Sequence, residues 1–238
     1  MAKNENSEGD LAVIVAARNE AERIAATVGA LRATFPGAAI WVADDASSDG
    51  TGERALAAGA QVVSRGKPHG KGANVSAAAE AALSAPEPPE LVLLCDGDLG
   101  ASAGRLGPLV EGVRAGECDL AVAAFARRVG GGFGVALGFA HWAIRRLSGQ
   151  ETTAPISGQR ALRVDALRAT LPFAAGFGME IGMTADAVRA GYTLREYEID
   201  LEHRATGRSL AGFRHRGVQL RDFLRVYLSR MGGRGSGR

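Results

Sequence analysis

The chain alternates short apolar runs with segments of helical periodicity, and that order leaves few folds open to it. Leu11–Ala17 contains no polar side chain, the pattern of a strand buried on both faces of a parallel sheet. Residues 20–34 then carry Ile24, Val28 and Leu31 at helical spacing and stop before Phe35-Pro36-Gly37. Residues 39–43, 61–64, 91–95 and 119–125 read as further strands. Residues 49–58, 71–84 and 104–115 read as the intervening helices, with a proline-rich loop at 85–90. The expectation is an α/β fold: a mostly parallel sheet with helices on both faces.

In sheets of this kind ligands bind beyond the carboxyl ends of the strands. That edge receives Arg18-Asn19-Glu20, Asp44-Asp45, Arg65-Gly66-Lys67 and Asp96-Gly97-Asp98, following strands one to four in turn. Asp96 and Asp98 are separated by one glycine, which lets the backbone turn tightly enough for both carboxylates to reach one hard cation. Mg²⁺ or Mn²⁺ held by one or two carboxylates, with substrate phosphates completing the shell, is the chemistry such a pair suits. Asp44 and Asp45 can accept hydrogen bonds from a base or ribose, whereas Asp49, with Ser47, Ser48 and Thr51, suits helix capping. Gly70-Lys71-Gly72 opens an alanine-rich helix, where close backbone approach, a lysine and a helix N-terminus together favour phosphate. The glycine spacing is not that of a P-loop, and no Gly-x-Gly-x-x-Gly follows the first strand.

The second half is less regular. A glycine cluster at 130–138 reads as a mobile loop, 135–147 as a mostly apolar helix, and 157–164 as a short strand. Residues 176–190 form a helix entered through glycines, and 192–201 an alternating strand. Residues 217–231 are amphipathic, with Leu220, Phe223, Leu224, Tyr227, Leu228 and Met231 on one face and Arg221 and Arg225 on another. Glu180, at the glycine-flanked helix entrance, is placed to take a proton from an acceptor hydroxyl. Arg160, Arg204 and Arg208 are candidates to clamp a phosphate or carboxylate.

Composition narrows the classes. At 238 residues, 46% hydrophobic and 23% charged, with a net charge of +2, the chain is ordinary globular material and not a disordered or collagenous one. Its two cysteines, Cys95 and Cys118, form no Cys-x-x-Cys, so neither a disulfide scaffold nor a zinc site is expected, and the cytoplasm is the expected compartment. The first ten residues are polar and without the apolar stretch of a signal peptide, and no apolar run approaches the ~20 residues that span a bilayer. Charge is uneven. Residues 201–238 hold nine arginines against Glu202 and Asp222, a net +7, so the rest of the chain carries 2 − 7 = −5. An acidic body suits a cation, and a basic end suits an anionic partner. With 5% aromatics and no recognised motif, nucleic acid is not an expected partner.

Val13-Ile14-Val15-Ala16-Ala17-Arg18-Asn19-Glu20, then 42–51 (VADDASSDGT), Gly70-Lys71-Gly72 and Asp96-Gly97-Asp98 together resemble the ordered motifs of family 2 glycosyltransferases of the GT-A fold. Arg18 departs from the aromatic or small polar residue common there. The resemblance implies that Ala16, Asn19, Glu20 and Asp44 bind the nucleotide of a UDP- or GDP-sugar, that Lys71 lies near the phosphates, and that Asp98 ligates the metal. Asp45 and Asp96 are placed with the nucleotide-sugar set, and Asp96 also with the metal. Ser157-Gly158-Gln159-Arg160, 176–182 (GFGMEIG) and His203-Arg204 with Thr206-Gly207-Arg208 are similar to soluble enzymes near the glucosyl-3-phosphoglycerate synthases. On that likeness His203 is a third metal ligand beside Asp98 and Asp96.

The implied organisation is a disordered lead at 1–10, one GT-A domain at 11–231 and a flexible tail at 232–238. Within the domain, 11–125 is the nucleotide-sugar half, 126–212 the acceptor half and 213–231 a C-terminal helix. The implied activity is metal-dependent transfer of a sugar to an anionic small molecule or a polyprenyl phosphate, with Asp98 and Glu180 at the chemistry. Two rivals stand beside it: a sugar-phosphate nucleotidyltransferase, and a non-catalytic module that lies on the inner membrane face through its C-terminal helix. Peripheral membrane contact and a homodimer are both compatible with the sequence.

Overall fold

The computed structural model describes residues 9–125, 134–201 and 210–231, with 210–219 as backbone only. Seven strands form one sheet in the order β3-β2-β1-β4-β6-β5-β7. They are β1 (Leu11–Ala17), β2 (Ala39–Asp44), β3 (Gln61–Ser64), β4 (Leu91–Asp96), β5 (Leu120–Phe125), β6 (Arg160–Arg163) and β7 (Leu194–Ile199). β1 pairs in parallel with β2 and β4, β2 with β3, and β5 with β7. β6 alone runs the other way, antiparallel to β4 and β5. The mostly parallel α/β sheet expected from the sequence is therefore present.

The apolar run of β1 is continuous because both of its faces are covered. Leu11, Val13, Val15 and Ala17 enter one core with α1 (Ile24–Thr34) and α4 (Gly107–Arg114). Ala12 and Ile14 enter the other with α3 (Lys71–Leu83), α6 (Val164–Thr170) and α7 (Met179–Arg189). α2 (Thr51–Ala57) packs beside α1 through Ala55. A third cluster joins α5 (Gly134–Ser148) and α8 (Leu210–Met231) to the outer face of α7, through Ala140, Ile144, Ile181, Ala185, Phe223 and Val226.

Several boundaries differ from the sequence reading. The helix expected at 104–115 is a 3-10 segment at Gly100–Leu106 followed by α4, which starts where Pro108 suits a first turn. The strand expected at 157–164 shrinks to β6: residues 157–159 are irregular, the Ser157 and Gln159 side chains bonded to each other and Gln159 to Asp96. α6 was not anticipated: seven residues are too few for periodicity to show. Asp10, placed in the lead, accepts backbone bonds from Glu90 and Leu91 and pairs with Arg114 at 2.8 Å. The apolar face expected on α8 divides. Phe223, Val226 and Tyr227 are buried, whereas Leu220, Leu224, Leu228 and Met231 are exposed.

Candidate active site

The parallel strands β1, β2, β3 and β4 end at one edge of the sheet, and their terminal residues bring the charged segments together. Asp96 ends β4. Its Oδ1 lies 2.7 Å from Lys71 Nζ, and its Oδ2 accepts a 2.8 Å hydrogen bond from Gln159 Nε2. Lys71 is the first residue of α3, and its ammonium also meets Glu180 Oε1 on α7 at 2.9 Å. One cation thus links a carboxylate of the strand edge to a carboxylate of the second half. Burial alone would draw the Lys71 pKa down, but Asp96 and Glu180 more than reverse this and hold it above the ordinary lysine range.

The Asp96-Gly97-Asp98 turn is fixed from behind. Gly97 N–H donates to the Ala16 carbonyl at 2.9 Å. A Cβ at Gly97 would stand 3.2 Å from both that carbonyl oxygen and Ala17 Cβ, so glycine lets β4 pass close to β1 here. Thr27 of α1 and Arg23, the residue just before that helix, complete the support. Thr27 Oγ1 donates to the Gly97 carbonyl at 2.8 Å and accepts from Gly100 N–H at 2.9 Å, and Arg23 donates to the Asp98 carbonyl at 3.0 Å.

Asp44 and Asp45 diverge. Asp44 accepts from the Ser47 N–H and hydroxyl and shapes the turn after β2. Asp45 turns toward the loop before α3, accepting from His69 N–H at 2.7 Å, from Gly70 N–H and from Asn74 Nδ2, with Arg18 at 3.5 Å. Asn19, at φ 56°, is sewn to the same region: its N–H donates to Ser47 Oγ and its Oδ1 accepts from Ser48 N–H. Glu20 N–H donates to Thr51 Oγ1. Asp49 takes the capping part expected of it, accepting from Thr51 and from Ala21 N–H. The Thr51 bond, ahead of the others, holds its carboxyl below the usual range.

Of the expected site residues, Asp44, Asp45, Asn19 and Glu20 gather at the ends of β1 and β2, and Asp96, Asp98, Lys71 and Glu180 around the end of β4. Ala16 contributes its carbonyl to the Gly97 bond. The expectation for Arg160 is corrected. It is 1% exposed and donates to the carbonyls of Ser157 and Pro155 and to Thr184 Oγ1, which spends its guanidinium inside the fold instead of on an acceptor. Burial pulls its pKa down to about 10 against the opposing pull of Glu180 and Glu196. The expected metal role of Asp96 is also altered, since Lys71 and Gln159 take both of its oxygens. His203, Arg204, Arg208 and the glycine cluster at 130–132 lie outside the described residues.

Gln159 stood inside a motif singled out in the sequence but was given no role, and Thr27 and Asn74 were missed as parts of the site. These two carried a faint signal. Thr27 is a polar residue within the apolar stripe of Ile24, Val28 and Leu31, and Asn74 interrupts an alanine-rich helix. Both are buried and bonded to the loops that bear the acids.

As a donor for a metal, Asp98 offers hard carboxylate oxygens on a tight turn, the kind that Mg²⁺ and Mn²⁺ take, while the neighbouring Asp96 is engaged by Lys71 and Gln159. Among the described residues no three His, Cys, Asp or Glu side chains form a ready cage.

An open α/β sheet with a charged edge beyond its parallel strands defines a protein that binds its ligand at that edge. The chain belongs to glycosyl transferase family 2, whose pattern matches residues 12–171, and the sheet is that of GT-A glycosyltransferases. The undecaprenyl-phosphate mannosyltransferase of Micrococcus luteus is 31% identical over 212 residues, which cover 82% of this chain and 85% of that protein. Glucosyl-3-phosphoglycerate synthase of Mycobacterium tuberculosis, in complex with Mn²⁺, uridine diphosphate and phosphoglyceric acid, superimposes with a TM-score of 0.76 at 26% identity, covering 95% of this chain and 80% of that one. The same enzyme with Mg²⁺ and uridine diphosphate gives a TM-score of 0.73 at 27% identity, covering 95% and 81%.

Proposed function

We propose that this glycosyltransferase moves a sugar from a nucleoside-diphosphate donor, held with Mg²⁺ or Mn²⁺, to an acceptor that carries a phosphate. The observation that carries the reading is the Lys71 bridge, which joins an acid of the strand edge to an acid of α7. Solved relatives hold Mn²⁺ or Mg²⁺ with uridine diphosphate, and one holds phosphoglyceric acid besides. The curated relative is named for a lipid phosphate. These support a diphosphate donor and an acceptor of that chemical kind.

In this reading Asp98 holds the cation, with Asp96 close behind it, and His203 is a proposed third ligand. The cation, when bound, supplies Lewis-acid stabilisation of the charge that develops on the departing diphosphate. The residues of the chain do the rest. The segments Arg18-Asn19-Glu20 and Asp44-Asp45 bind the nucleoside, Asp44 by accepting from base or ribose. Ala16 lines the floor beneath them. Lys71 fixes Asp96 and adds positive charge where phosphate enters. Glu180 orients the acceptor hydroxyl and receives its proton. Arg204 and Arg208 are the proposed partners of the acceptor phosphate.

The test pairs binding with turnover. Uridine or guanosine diphosphate should raise the melting temperature in the presence of Mn²⁺ and fail to do so without it, and donor hydrolysis should require the metal. Asp98→Ala should lose both. Metal-independent turnover by Asp98→Ala in excess chelator would remove the cation from the scheme. Pyrophosphate release from a nucleoside triphosphate and a sugar phosphate would favour the nucleotidyltransferase reading instead.

A further inference from the structure

Helices α5 and α8 leave apolar surface exposed among the described residues. On α8, Leu220, Leu224, Leu228 and Met231 are 37%, 45%, 53% and 44% exposed. Their spacing places them on one side of the helix. The opposite flank is committed: Phe223 and Val226 are buried against α5 and α7, and Arg230 pairs with Asp186 of α7. Trp142 of α5, 48% exposed, continues the uncovered side, its ring 4.7 Å from that of Tyr227 and 5.4 Å from that of Phe139. Next to the leucines on the outer side stand Arg221 and Arg225, both exposed. Over its whole length α8 has five arginines and a single acid, Asp222. That acid faces inward, where it accepts from Phe177 N–H just ahead of Glu180.

We propose that this face of α8 and α5 docks on the surface of an anionic lipid bilayer. An apolar stripe edged by arginines, with an indole at its margin, is what a helix lying in the headgroup region presents. Charge selects among the possible occupants. Two copies of the chain joined through the stripe would bring arginine-rich helices together, and like charges facing each other oppose association. An anionic leaflet attracts each of those arginines. No described helix is long and apolar enough to cross a membrane, so the contact is one that lies on the surface. Through Asp222 the docked helix is tied to the turn that leads into α7. The proposal does not rest on the catalytic reading, since surface binding needs neither donor nor metal.

The experiment is vesicle flotation of the full chain on phosphatidylcholine alone and on phosphatidylcholine mixed with phosphatidylglycerol, at low and high salt. The chain should float with the anionic vesicles and be released by salt. Leu224→Glu with Leu228→Glu should lower binding at least about tenfold, and Arg225→Glu about fivefold, with circular dichroism and melting temperature unchanged. Asp98→Ala should float like the unaltered chain, so a failure of transfer and a failure of docking are read separately. A folded chain that does not float with anionic vesicles overturns the proposal. So does a sedimenting dimer that the double leucine variant dissociates, which would assign the stripe to a second copy.

Discussion

Lys71 Nζ and Glu180 Oε1 meet at 2.9 Å across 109 residues of sequence, and the same ammonium holds Asp96 at 2.7 Å. The contact joins the first turn of α3 to the first turn of α7. Removing the cation leaves two carboxylates facing each other with no counter-charge. Breaking a fully buried pair costs roughly 3–5 kcal/mol. Here the lysine and Asp96 each keep more than a quarter of the side chain in solvent, which reduces the figure to about 2 kcal/mol. Lys71→Met is expected to lose that much in a urea titration. It should also lower kcat/KM about a hundredfold, because both carboxylates would move. Transfer at the native rate by a folded Lys71→Met protein would show that the bridge is structural only.

The same bridge sets a pH window. Desolvation lowers the Lys71 pKa, and the Coulombic pull of Asp96 and Glu180 raises it further than that, to a net position above its ordinary 10.5. A cation whose folded pKa exceeds its unfolded one contributes its full stability below the unfolded value and loses it as pH rises through the folded one. The stability difference between the native chain and Lys71→Met should therefore stay level from about pH 7 to about pH 9, and narrow only in strong alkali. Urea titrations across that range check this. A gap that closes before about pH 9 would mean that Lys71 gives up its proton early.

The sheet was readable because β1, β2, β4 and β5 are short, largely apolar runs and both faces of β1 are buried, so no periodicity had to be disentangled. The acids at the strand ends were readable for the same reason: polar residues directly after an apolar run have one edge of the sheet to occupy. Side-chain direction was not readable. Asp44 and Asp45 are neighbours in sequence, yet one shapes its own turn and the other supports the loop before α3. Arg160 read as a candidate clamp for a phosphate or carboxylate, one of many arginines in the chain. Its burial follows from β6 lying between β4 and β5 in the sheet interior, a pairing between distant segments that local spacing does not encode.

Thr27 holds the Asp96-Gly97-Asp98 turn through two hydrogen bonds while remaining fully buried. Thr27→Val keeps the shape and deletes both bonds, leaving a carbonyl and an N–H without their partner. A buried group stranded in this way costs about 1–3 kcal/mol. The expected loss is about 2 kcal/mol in a urea titration, with a several-fold rise in the Mn²⁺ concentration needed for half-maximal nucleoside diphosphate binding. Thr27→Ser restores the hydroxyl and should recover the metal midpoint. An unchanged midpoint in Thr27→Val would show that α1 supports the fold and has no hold on the turn's metal-facing geometry.

Gly158 separates stability from activity. A Cβ there would lie 2.6 Å from Lys71 Nζ and 2.8 Å from Asp96 Oδ2. The colliding atoms are the ends of side chains that can swing aside, and none is backbone. Gly158→Ala should therefore cost only about 1 kcal/mol in the melt. The displaced tips are the bridge itself, so kcat/KM should fall about tenfold to a hundredfold. Gly72 supplies the contrast. A Cβ at Gly72 would run into the Ala174 carbonyl, which is backbone and cannot yield as cheaply. Gly72→Ala is expected to lose about 3 kcal/mol or more in the same titration. If Gly158→Ala unfolds as readily as Gly72→Ala, the bridge atoms are rigidly held and the site tolerates no rearrangement. If Gly158→Ala instead keeps native turnover, the Lys71–Asp96 geometry does not govern the reaction.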